Sequence, residues 1–110
     1  MSTVKSKIKS LLASPSAEGL IYALRNREVW PEGFKWNYLM CQTCALGLAF
    51  RLWREIDRPD IDYVGPAVGL SERDAERVFL YARKYTDVEC GQGITPEMVA
   101  DLLEAVVHAQ

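Results

Sequence analysis

The sequence is poor in the residues that usually carry chemistry. Its 110 residues hold one histidine, His108, and three cysteines. No run reaches the ~18 uncharged apolar residues of a spanning helix, which argues against a membrane protein. There is no internal repeat and no low-complexity tract. No segment alternates apolar and polar residues long enough to read as a strand. A basic excess is missing too: 13 basic side chains face 15 acidic ones, a net charge of −2. That argues against a dedicated nucleic-acid binder. The apolar run Leu11-Leu12-Ala13 is too short for a secretory signal. An odd number of cysteines does not suit a secreted disulfide scaffold, so a reducing, cytoplasmic setting is expected.

What is present suits one globular domain. Hydrophobic residues make up 49% and charged residues 25%, which excludes wholesale disorder and collagen-like chains. The charge is unevenly spread. Residues 1–54 carry eight Lys/Arg against three Asp/Glu, a net of +5, and residues 55–110 carry five against twelve, a net of −7. Two readings follow: the halves neutralise each other on packing, or the second half presents an acidic surface to a basic partner.

The periodicity is helical almost throughout. Val4, Ile8, Leu11 and Leu12 fall on one helix face with Lys5, Lys7 and Lys9 opposite. This stretch is basic, serine-rich and acid-free up to Glu18, like a transit peptide, but a plain amphipathic helix accounts for it. Ser14-Pro15 or Ser16 starts a second helix, with Ala17, Leu20, Ile21 and Leu24 on its apolar face, and it should end before Pro31. Residues 30–36, punctuated by Pro31 and Gly33, read as a loop. The chain is nearly all apolar from about 37 to 56, as expected of a buried central helix. Residues 61–70 suggest one short helical turn around Pro66. Ser71 with Asp74 resembles a capping box opening a helix to about Tyr85, and Thr95-Pro96 opens the last one. The expected architecture is an all-α bundle of about five helices wrapped on the segment 37–56.

Few constellations could carry chemistry. Cys41 and Cys44 form a C-x-x-C that shares a helix face, and with Cys90 and His108 they make a potential Cys₃His zinc set. Against this stand the wide spacing and the ordinary use of cysteine as a small buried side chain. A redox dithiol lacks both the helix N-terminus and the βαβ setting it requires. Gly91-Gln92-Gly93 lacks the lysine and the preceding strand of a phosphate loop. Residues 65–71 followed by a helix echo a helix-turn-helix, with Gly69 in the turn. Pro66 is expected to break its first helix, and Glu72, Asp74 and Glu76 offset Arg73 and Arg77 on the second.

Two surfaces remain as partner-binding candidates. Trp30, Phe34, Trp36 and Tyr38 crowd one loop, where they either cover the core or form an exposed hot-spot patch, with Trp30, Phe34 and Trp36 as the binding candidates. Glu97, Asp101 and Glu104 recur at i, i+4 and i+7 on the last helix, as a solvated face or an acidic docking stripe. Such a stripe could mimic a phosphate backbone in a basic groove.

One resemblance adds to this. Cys44-Ala45-Leu46-Gly47-Leu48-Ala49, then Gly69-Leu70-Ser71 with Asp74-Ala75 and Val78-Phe79, then Thr95-Pro96-Glu97-Met98-Val99-Ala100-Asp101, resembles small bacterial and prophage-type helical proteins. The resemblance covers about residues 41–103 and implies a bacterial or phage setting, but no activity. The expectation is a protein without enzymatic activity or cofactor, which binds another protein with a basic surface. A phage-type inhibitor or adaptor fits that mode. A zinc or thiol protein and a helix-turn-helix regulator are the alternatives.

Overall fold

A computed structural model describes residues 2–36, 44–80 and 94–109 of the chain. Among the described residues there are six α-helices, one 3-10 turn and no strand. The helices are α1 (Ser2–Leu11), α2 (Ala17–Arg25), α3 (Ala45–Leu52), α4 (Ile61–Ala67), α5 (Glu72–Phe79) and α6 (Pro96–His108). The 3-10 turn, Arg27–Val29, follows α2. The all-α expectation holds.

Capping explains where four of these helices begin. The Ser16 hydroxyl accepts the Gly19 N–H at 2.9 Å, Ser71 accepts Asp74 N–H at 3.2 Å, and Thr95 accepts Met98 N–H at 3.2 Å. The Asp60 carboxylate accepts the Asp62 N–H at 2.9 Å. Each such cap contributes about 1 kcal/mol by satisfying an orphan donor. At the start of α6, Pro96 follows the cap at a position whose N–H has no helical partner in any case.

The core draws on α2 to α6, and its most closely packed helices come from distant parts of the chain. Leu20, Ala23 and Leu24 of α2 and Val99, Ala100 and Leu103 of α6 are all fully buried, and these two helices form the most extensively packed pair. Helix α5 packs on α6, α4 on α5, and α3 on α4. Helix α3 is buried from Ala45 to Ala49, as a central helix should be, but it is shorter than the expected span 37–56. Residues 37–43 lie outside the described residues. Cys44, before the helix, and Trp53, after it, both have extended backbones. The helix therefore ends at Leu52, while Trp53 and Ile56 stay buried without being helical. An apolar run marks burial, and burial does not require helix.

Each of the three tryptophans ties a backbone carbonyl to the core. Trp30 Nε1 donates to Ala23 O at 2.6 Å, Trp36 Nε1 to Ile94 O at 2.8 Å, and Trp53 Nε1 to Leu12 O at 2.9 Å. The last of these pulls the α1–α2 turn onto the end of α3. Gly19 lies at the same junction. A Cβ there would meet Leu11 O at 2.7 Å and the Trp53 ring at 3.0 Å.

Gly19→Ala is a direct test of this junction. Helix propensity alone favours alanine by about 1 kcal/mol. The clash with a backbone carbonyl reverses the sign, and we expect a net loss of about 1–3 kcal/mol in urea or thermal unfolding. Equal or higher stability would show that the α1–α2 turn does not sit against Trp53.

Candidate functional site

The acidic face of α6 lies opposite arginines of the same chain. Arg25, at the end of α2, donates to Asp101 Oδ1 at 2.7 Å and to both carboxylate oxygens of Glu104, at 3.2 and 3.3 Å. Arg27 lies 3.8 Å from Glu97 Oε1. Its hydrogen bonds to Glu104 and Asp101 hold the Arg25 guanidinium well above its ordinary pKa. The Arg25 hydrogen bond, followed by its charge, holds the Glu104 carboxyl below the usual value. Glu97, Asp101 and Glu104 therefore form one half of an internal ion-pair set that closes α2 on α6. A groove of about 410 Å³ beside this set, with Tyr22, Asn26 and His108 in its lining, also contains Arg25 and Glu104.

The aromatic loop also turns inward. Phe34 is buried, and Trp30 and Trp36 are half-buried against the core. Trp30 meets Phe34 edge-on with ring centres 5.1 Å apart. Arg27 lies over the Trp30 ring and Arg51 over Phe34. With both indole N–H groups bonded to backbone, Trp30, Phe34 and Trp36 act as a lid on the α2–α6 core.

The zinc alternative involves residues that are not all described, since Cys41 and Cys90 lie outside the described residues. Cys44 is buried just ahead of α3, and His108 is exposed in the last turn of α6. Among the described residues, no three His, Cys, Asp or Glu side chains gather as a metal site. Also among them, no helix is long and apolar enough to cross a membrane.

Among the described residues, an open face also lies between α4 and α5. Contrary to the sequence expectation, Pro66 does not break α4. It sits one residue before the helix end, and the Val68 N–H still reaches Val64 O at 3.1 Å. In so short a helix, proline removes a single donor, and the loss is bearable near the C-terminus. The turn closes with Gly69 at φ +79°, the left-handed region that favours glycine. Leu70 N–H donates to Gly65 O at 2.9 Å and Gly69 N–H to Pro66 O at 3.1 Å, the paired bonds of a Schellman turn. A Cβ at Gly65 would come within 3.0 Å of the Ala75 methyl, so glycine is what lets α4 and α5 cross this closely. Val64, Val68, Leu70, Ala75 and Val78 are buried around this crossing.

Outside the crossing runs a groove of about 240 Å³. Ile61, Pro66, Leu70 and Ala75 supply its apolar part, and Asp62, Glu72 and Glu76 its charges. No salt bridge among the described residues reaches these three carboxylates. Ile61 also lines a second groove of about 370 Å³, with Leu46, Pro59 and Leu80. Leu80 and Tyr63 are among the most exposed large hydrophobic side chains described. The sequence shows these carboxylates as a mixed-charge helix face. It does not show that the Gly69 turn sets them around an apolar floor.

No protein-family model, curated protein or solved structure matches the chain.

The Arg25 set predicts a pH dependence. A carboxyl held below its ordinary value near 4.5 stabilises the fold only while ionised. The contribution of Glu104 is thus complete above that value and is lost as pH falls through the lower folded value. Thermal melts from neutral to strongly acidic pH should show Tm declining through that range, with a shallower decline in Arg25→Gln. Parallel curves for the two proteins would remove the Arg25–Glu104 pair as a contributor.

Proposed function

We propose that this chain is a non-enzymatic binding module, and that it engages a protein with a basic, partly apolar surface through the α4–α5 groove. The observation that carries the reading is the difference between its two acidic faces. The carboxylates of α6 are answered by Arg25 and Arg27, whereas Asp62, Glu72 and Glu76 border an apolar groove with no salt bridge of their own among the described residues. Carboxylates around an apolar floor suit lysine or arginine side chains, whose stems cover apolar surface while their heads meet the charges. A bacterial or phage-type inhibitor of an enzyme with a basic groove belongs to this partner class, as an extension of the same reading.

A second reading has its own observation. Helix α4, the Gly69 turn and α5 reproduce the close crossing and tight turn of a helix-turn-helix, in which α5 would read DNA. Electrostatics favours the first reading. The segment from Asp60 to Arg77 carries Asp60, Asp62, Glu72, Asp74 and Glu76 against Arg73 and Arg77 alone. Phosphate contacts supply most of the affinity of a DNA-binding helix, and this balance opposes them.

One variant separates the two readings, because they respond with opposite sign. Glu72→Lys with Glu76→Lys should abolish capture of a protein partner from the native host. Glu55→Lys with Asp57→Lys makes the same charge change at exposed positions elsewhere and should leave capture intact. If the helix pair binds DNA, the first variant should instead strengthen salt-sensitive DNA retardation. Capture that survives both variants at full strength would sink the groove reading.

A further inference from the structure

Helix α1 is basic, amphipathic and poorly packed. Among the described residues it makes no extensive contact with another helix, and near its end Trp53 bonds Leu12 O and Gly19 packs close to Leu11 O. Leu12 packs on the core, but Ile8 and Leu11 are not among the side chains packed there. Both are half-buried, and the exposed Lys7 and Lys9, each about 100° round the helix from Ile8, flank them and do not lie opposite as the sequence pattern suggests. No salt bridge among the described residues reaches either lysine. Among the described residues, two surfaces of matching character are therefore present: a helix whose half-buried Ile8 and Leu11 are flanked by exposed lysines, with Leu11 at the edge of the groove beside Tyr22, and the α4–α5 groove with an apolar floor flanked by Asp62, Glu72 and Glu76.

We infer that the α4–α5 groove accepts α1 from a second copy of this chain. Ile8 and Leu11 cover Ile61 and Leu70, while Lys7 and Lys9 answer the free carboxylates. The inference rests on the groove reading proposed above and names an occupant for it. The contact is heterologous, because helix and groove are different surfaces, so it joins copies head to tail. One short helix buries less than the ~1,200 Å² of a stable complex, so the association is weak and rises with concentration. Its charges are exposed, so salt screens it. A foreign partner with a basic surface then competes with α1 for the same groove.

Sedimentation of the intact chain across a wide concentration range, at low and high salt, tests this. At low salt the average mass should climb above the monomer's 12.4 kDa with concentration, and high salt should return it to that value. Lys7→Glu with Lys9→Glu should hold the protein monomeric, and so should Glu72→Lys with Glu76→Lys. An equimolar mixture of these two variants is charge-complementary at both contacts and should associate again, with the two variants alternating. Circular dichroism confirms that each variant is folded, and Glu72→Gln with Glu76→Gln replaces the reversal if that variant is not. A chain that stays monomeric throughout, or self-association that ignores both variants, overturns the inference. The groove reading can survive that outcome, since capture of a foreign protein by the wild type and its loss in Glu72→Lys/Glu76→Lys does not depend on self-association.

Discussion

The closure of α2 on α6 is the constraint on which everything else depends. It joins segments some 79 residues apart, as in the Arg25–Glu104 hydrogen bonds, so it closes nearly the whole chain into one loop. Closing so long a loop costs little more than closing a moderate one, because the entropy grows only with the logarithm of length. Against it stands the burial of Leu20, Leu24, Val99 and Leu103, each fully removed from water. A side chain of this kind contributes about 1.5–3 kcal/mol on burial. The ion pairs above this contact contribute less, since Asp101 is 73% exposed and water screens it. They act mainly on register: Arg25 meets two carboxylates one turn apart on α6, and Arg27 meets a third a turn further on.

That same closure decides which charges are left for the outside. The basic half of the chain contributes Arg25 and Arg27 to the contact, and the acidic half contributes Glu97, Asp101 and Glu104. The charge asymmetry of the sequence is thus partly an internal arrangement. Among the described residues, exposed lysines remain on α1 and carboxylates without a salt bridge remain around the α4–α5 groove.

The parts of this fold that the sequence discloses are those governed by local chemistry. Ser16, Ser71 and Thr95-Pro96 cap helices because a hydroxyl needs only the N–H three residues on. Gly69 sits in the turn because a positive φ suits glycine. What sequence periodicity cannot disclose is long-range. Three acidic residues at helical spacing read as a docking stripe until Arg25 and Arg27 are found across from them. The aromatic loop reads as a patch until Trp36 is found bonded to Ile94, 58 residues away. The segment 37–56 misleads for a related reason. Its apolar content reports burial of Trp53 and Ile56, yet the Trp53 backbone is extended because its indole reaches back to Leu12. Pro66 errs the other way, since a rule about helix interiors applies weakly one residue from a helix end.

The three tryptophans differ from the acidic groove in how far their polar atoms are already engaged. An indole offers a large apolar area and a single donor. Used at an interface, it leaves that donor for the partner. Here each donor is taken by a carbonyl of the chain itself, at Ala23, Leu12 and Ile94. Breaking such a bond to free the ring would leave a donor and an acceptor to be rehydrated and uncover the core beneath. No comparable cost attaches to Ile61, Leu70, Glu72 and Glu76. Their groove is formed by the Schellman turn and by the Gly65–Ala75 crossing. Among the described residues, the α4–α5 groove is thus the surface whose shape is set by local turn chemistry rather than by long-range bonds.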